Sequence, residues 1–157
     1  MLEVKASVPD GKPTIALERE FDAPPAVVFE AFSDQAALTA WWGPNGFTLE
    51  FHEMDFRIGG QARFDMTGPD GTVYPNRLAY REIVPGSRIA YLHDSGVDND
   101  PHGFEVTVSF APLAGQRTLL TMTSVFPSVE ARNAVLTFGA VELGKQTVEK
   151  LAAYLAA

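Results

Sequence analysis

The chain has no cysteine, only three histidines, and twelve basic residues against twenty acidic ones. Without cysteine there is no disulfide framework, no thiolate nucleophile and no thiolate metal site. His52, His93 and His102 stand far apart, with no spacing that would set two of them on one helix face, so neither a metal nor a cofactor is expected. A formal net charge of -8 repels phosphate backbones and anionic headgroups, which argues against nucleic acid as a partner. No apolar run approaches the roughly 20 residues of a spanning helix, so no membrane insertion is expected. The opening "MLEVKASVPDGKPT" has no basic-then-apolar leader, and the expected compartment is the cytoplasm. There is no G-x-S-x-G elbow, and "RIGG" and "GPDG" have the size of turns rather than of phosphate cradles.

What is there suits a globular chain. At 157 residues and 46% hydrophobic composition, folding removes roughly 70% of the unfolded surface from water, enough for a core without staples. With no repeat, linker or second core in view, the expectation is a single domain over residues 1-157, with its core at about 13-156.

After a polar lead, "PTIALEREF" alternates Ile15, Leu17 and Arg19 against Thr14, Ala16 and Glu18, the period of a strand. "APPAVVFEAFS" follows, with prolines suited to a first helical turn and with Val28, Ala31 and Phe32 on one face. Ser33 and Asp34 offer an N-cap to a second short helix, "QAALTAWW", which Gly43-Pro44 stops. From Phe47 to Phe126 the period is two, and turn signals divide the stretch into six strands. In the first of these, Phe47, Leu49 and Phe51 share one phase while Met54 and Phe56 share the other, which predicts a bulge near His52 or Glu53. From about Ser128 to Ala156 the apolar positions Phe138, Val141, Val148, Leu151, Ala152 and Leu155 recur at helical spacing, and one long amphipathic helix is expected there.

Taken together, "FDAPPAVVFEAFSD", "WWGPNGF", "DFRIGGQARF", "GPDG" and "YREIVPGSRIAY" resemble the family of homologues of the activator of heat-shock protein 90 ATPase, within the START-like, pollen-allergen-like helix-grip superfamily. The resemblance runs from about Phe21 to Leu155. It implies an α+β helix-grip fold: a curved antiparallel β-sheet wrapped around a long C-terminal α-helix, with two short helices after the first strand and a cavity between sheet and helix. Members often carry Trp in the middle of the last helix, whereas this chain has Gly139, Ala140 and Gly144 in the corresponding stretch. Small residues there either enlarge the cavity or let the helix sit closer.

The adjacent tryptophans set the first functional question. Neighbouring residues on a helix point about 100° apart, so Trp41 and Trp42 cannot fill one core slot. Trp42, beside Gly43-Pro44, is expected at the cavity rim and Trp41 in the core. Tyr80, Tyr91 and His93, expected on one face of neighbouring strands, form a cluster that can orient a ligand carbonyl or hydroxyl, or serve as acid-base machinery. Glu142, one turn after Phe138, is expected to set a carboxylate over an apolar floor, or else at the edge of the helix stripe and in water.

The leading expectation is binding of a small, mostly apolar ligand, with Phe64, Met66, Tyr80, Tyr91, Phe104 and Phe138 as wall, Trp42 at the mouth, and His93 and Glu142 as polar contacts. One alternative is a cyclase- or dehydratase-like enzyme using His93, a tyrosine and Glu142. Another is a co-chaperone acting on the heat-shock protein 90 ATPase through its surface, and a homodimer stays open.

Overall fold

Period-two alternation becomes an eight-stranded sheet in which every neighbouring pair is antiparallel. The computed structural model describes residues 2–157. The strands are β1 (Lys5–Ser7), β2 (Thr14–Phe21), β3 (Thr48–Met54), β4 (Gln61–Thr67), β5 (Val73–Val84), β6 (Arg88–Asp94), β7 (Phe104–Leu113) and β8 (Arg117–Val125). Their spatial order is β1-β2-β8-β7-β6-β5-β4-β3, so hairpins build β3 to β8 in sequence and β2 closes against the last of them. Helices α1 (Pro25–Ser33) and α2 (Gln35–Trp41) follow β2, and α3 (Val129–Thr137) and α4 (Ala140–Ala156) follow β8. The chain is α+β, and α4 packs against β2 and α2 in the helix-grip manner.

Local chemistry sets the joints. Asp34 caps α2 by accepting a hydrogen bond from the Ala37 amide at 3.0 Å. The β3 register shifts between Phe51 and Glu53, so Phe51 lies opposite Phe64 and Met54 opposite Ala62, both facing inward. The extra residue, His52, is what allows residues of opposite phase to share one face. A second shift in β5, between Tyr80 and Glu82, adds to the bending of the sheet.

Two features differ from the reading of the sequence. The polar lead contains β1, an exposed edge strand paired with β2 from Lys5↔Glu18 to Ser7↔Ala16. A three-residue edge strand is held by backbone hydrogen bonds and leaves no apolar alternation to detect. The expected single helix from about Ser128 is two helices, broken at Gly139, whose φ of 83° lies in the left-handed region and whose amide donates to Leu136 O at 3.0 Å. Glycine takes that conformation without a Cβ penalty, so it ends α3 and resets the helical phase before α4.

One contiguous core joins α1, α2, the inner sheet face and α4 through Val28, Leu38, Trp41, Phe64, Val108 and Leu151. It is solid where α1 and α2 press on the sheet. Phe29 and Phe32 meet Phe110 edge-on at 5.4 and 5.3 Å. Farther along, the sheet is roofed by the first half of α4 alone, and that part is hollow.

Candidate functional site

The hollow is a cavity of about 380 Å³ between the inner sheet face and α4. Strand pairing lays out its floor in rows. In one row Ile15 lies opposite Ser124, Ser124 opposite Val106, and Val106 opposite Tyr91; in the next, Phe104 lies opposite His93. Because side chains alternate between faces along a strand, Leu17, Met122 and Phe126 point the same way and extend that floor. The roof is Ala140, Gly144, Thr147 and Val148 of α4, and Leu143, 39% exposed, marks the mouth.

Trp42 and Met66 close one end. The tryptophan pair splits by helix geometry. Trp41 is fully buried, edge-on to Phe32 at 4.9 Å, and its Nε1 donates to Ala31 O at 3.0 Å. That carbonyl belongs to the last turn of α1 and has no partner along the helix, so the indole caps it. Trp42 stands at the cavity, 6.3 Å by ring centroid from both Phe64 and His93. At 7% exposure it is a wall residue rather than a rim residue. The following loop is pinned to α4, where Gln146 Oε1 accepts from the Asn45 amide at 3.1 Å and Lys150 Nζ donates to Pro44 O at 3.4 Å.

Of the residues singled out in the sequence, Trp42, Met66, Tyr91, His93 and Phe104 line the cavity. Phe64 and Tyr80 stand behind the wall, Phe64 packed on Phe51 at 5.0 Å and Tyr80 on Phe56 at 5.0 Å. Phe138 does not reach the cavity. It follows the last turn of α3 and is 83% exposed, because the break at Gly139 separates its phase from that of α4. Glu142 also faces away, into an outer groove with Asn45, Lys145 and Gln146. It precedes Gly144 by two residues, or about 200° of helix, so a roof built on Gly144 and Val148 turns Glu142 outward. His93, the tyrosines and Glu142 therefore form no common constellation.

The roof and the β2 and β8 floor were missed as site residues, although the inward phase of the floor was legible. Alternation marks an inward side chain, but which inward side chains meet a helix and which meet empty space depends on where that helix lies. The question posed by the small residues also resolves locally. A Cβ on Gly144 would stand 2.7 Å from Leu17 Cδ1, so this glycine lets α4 approach β2, while Ala140 contributes a short side chain to the roof.

The polar atoms of the cavity are few. Asn76 Nδ2 donates to Tyr74 O at 2.9 Å, which turns Oδ1 toward His93, and Nε2 of His93 approaches that oxygen at 2.6 Å. A carbonyl oxygen only accepts, so the network assigns the proton to Nε2 and leaves a lone pair on Nδ1. Burial pushes the His93 imidazole down to about 4, against an upward pull from the Asp94 carboxylate. Burial likewise raises the Tyr91 and Tyr80 hydroxyls well above their ordinary value, so both remain protonated donors at neutral pH. Among the described residues no group of three or more His, Asp or Glu side chains could hold a metal ion.

The His93 environment has a measurable consequence. With its folded value near 4 and an unfolded value near 6.5, the unfolded chain binds the extra proton between these limits. Stability is therefore full above about pH 6.5 and falls by on the order of 3 kcal/mol as the pH drops toward 4. Urea unfolding across this window should show that slope, and His93→Gln, which keeps a donor for Asn76, should flatten it. An unchanged slope in His93→Gln would show that other groups carry it.

Comparison with known proteins agrees with this architecture. Among curated proteins none matches the chain. A protein from Arthrobacter aurescens, solved in solution by NMR, is similar at 25% identity and a TM-score of 0.89, over 97% of this chain and 91% of that one. A crystal structure from Chromobacterium violaceum is similar at 29% identity and a TM-score of 0.75, covering 92% and 98% of the two chains. The AHSA1 protein from Silicibacter pomeroyi is similar at 25% identity and a TM-score of 0.74, over 91% and 97%. The model of one family matches residues 22–156, from the strand-to-helix turn after β2 to the end of α4, and the chain belongs to that family, the Activator of Hsp90 ATPase homolog 1-like proteins.

Proposed function

We propose that this protein binds a small, mostly apolar molecule in the cavity between the sheet and α4. The observation that carries the reading is the cavity itself: about 380 Å³, within the range of small-molecule sites, and lined by no charged side chain among the described residues. Water there gains little from walls of Leu17, Phe104, Val106 and Met122. Displacing it onto a ligand of matching shape contributes about 25 cal/mol per Å² of apolar surface removed from water. Family membership agrees with a binding domain but names no ligand, since one fold hosts many functions.

Native mass spectrometry of the freshly purified protein tests this directly. The expected result is a population carrying a small co-purified molecule that is released on denaturation, or, where the cavity has been emptied, uptake of an uncharged apolar compound at one per chain. Failure of such compounds to bind at all would sink the proposal.

A further inference from the structure

The unpaired polar atoms of the cavity restrict what it accepts, beyond apolar character. Three cavity-lining residues carry side-chain polar atoms without protein partners among the described residues, namely Oη of Tyr91, Oγ of Ser124 and Nδ1 of His93, and the Tyr91 and His93 rings lie 6.4 Å apart by centroid. None of them is sealed off in the protein, for the one fully buried side-chain polar atom without a partner among those residues is Oη of Tyr80. The open atoms are of two kinds. Tyr91 and Ser124 have protons to donate, whereas Nδ1 of His93 can only accept while Asn76 holds the imidazole proton on Nε2.

We propose that the cavity selects an uncharged alcohol or phenol on an apolar body, its hydroxyl accepting from Oη of Tyr91 and donating to Nδ1 of His93. The proposal rests on the cavity-binding reading and narrows it. A hydroxyl is the smallest neutral group that both accepts and donates, so it satisfies the two faces at once. A hydrocarbon would strip water from both atoms and replace neither hydrogen bond. A ketone or ether would satisfy the tyrosine and leave the imidazole lone pair dry. A carboxylate would be buried without a cation, since no lysine or arginine among the described residues lines the cavity, and an amine would find no carboxylate. The downward push on the His93 imidazole agrees with this, because the ring stays neutral and supplies no positive charge at physiological pH.

Four bicyclic probes of one shape test it by titration calorimetry at pH 7.5: naphthalene, 2-naphthol, 2-methoxynaphthalene and 2-naphthoate. The expected order has 2-naphthol tightest, about tenfold over 2-methoxynaphthalene and naphthalene, with 2-naphthoate weakest. Tyr91→Phe, which keeps the ring, should lower 2-naphthol affinity about fivefold and raise that of naphthalene, which no longer strips water from a hydroxyl it cannot replace. Binding of 2-methoxynaphthalene or 2-naphthoate as tightly as 2-naphthol would overturn the selection for a hydroxyl while leaving the cavity-binding reading in place. If naphthalene and the other three all fail to bind, that underlying reading falls and the selection falls with it. Because the probe order is measured on the unaltered protein, a poorly folding variant would not rescue the proposal.

Discussion

Gly144→Leu is expected to lower the affinity for an uncharged apolar fluorophore such as N-phenyl-1-naphthylamine by tenfold or more, while the protein stays folded. The new side chain starts 2.7 Å from Leu17 Cδ1, a flexible tip that can yield only by moving. Leu17 and residue 144 both line the cavity, so the added carbons and the displaced leucine take up the same space. A single methylene more or less in an apolar pocket is worth roughly 10- to 200-fold, so a displaced leucine and a new one suffice for the expected loss. Stability moves less because two effects oppose. Overpacking costs about 1–3 kcal/mol, and removing a glycine from a helix interior returns roughly 1 kcal/mol. Fluorophore titration together with a thermal melt separates the two readouts. Unchanged affinity in a variant that melts normally would mean that the fluorophore sits elsewhere.

Trp41→Ala should lower the stability of the protein by roughly 3–5 kcal/mol, a drop on the order of 10 °C in Tm. Two losses combine. The indole is fully buried and packed on Phe32, so its removal leaves a void that close-packed neighbours cannot fill. It also leaves Ala31 O, at the end of α1, without the donor now 3.0 Å away. Trp42→Phe makes a different mark. Trp42 faces the cavity, so a short brominated alkane entering it should quench tryptophan emission by contact, and Trp42→Phe should remove most of that quenching. The Trp41 variant should lose stability, the Trp42 variant the quenching response. Equal loss of stability in both, with quenching intact in Trp42→Phe, would contradict the division of roles.

Local rules suffice for much of this molecule. The strands between Phe47 and Phe126 follow from a period of two, and α1 and α2 from proline, a capping aspartate and a helical stripe of Val28, Ala31 and Phe32. Even the bulge at His52 is legible, because Phe51 and Met54 cannot both face inward on a regular strand. The split of the tryptophans follows from the 100° step between neighbours on a helix. These properties depend on residues close in sequence.

The candidate site does not. Tyr91 and Phe64 carry the same inward phase, yet one faces empty space and the other stands behind Trp42, because α4 and α2 cover different parts of one sheet. An inward Phe138 needs one helical period carried across Gly139, and a single left-handed residue cancels that phase; Glu142 takes the second of its two expected places, at the edge of the stripe and in water. The proton on Nε2 of His93 is assigned by Asn76 from a different strand, whose own orientation depends on Tyr74 O. The sequence by itself determined the order of the elements from β2 to β8, the inward faces of their strands and the shortage of charge available to a site, because those depend on composition and short-range periodicity. Only the tertiary structure decided where the packed core stops and the cavity begins, since that boundary is set by the distance between α4 and the strands beneath it, of which β2 lies more than a hundred residues away in the chain.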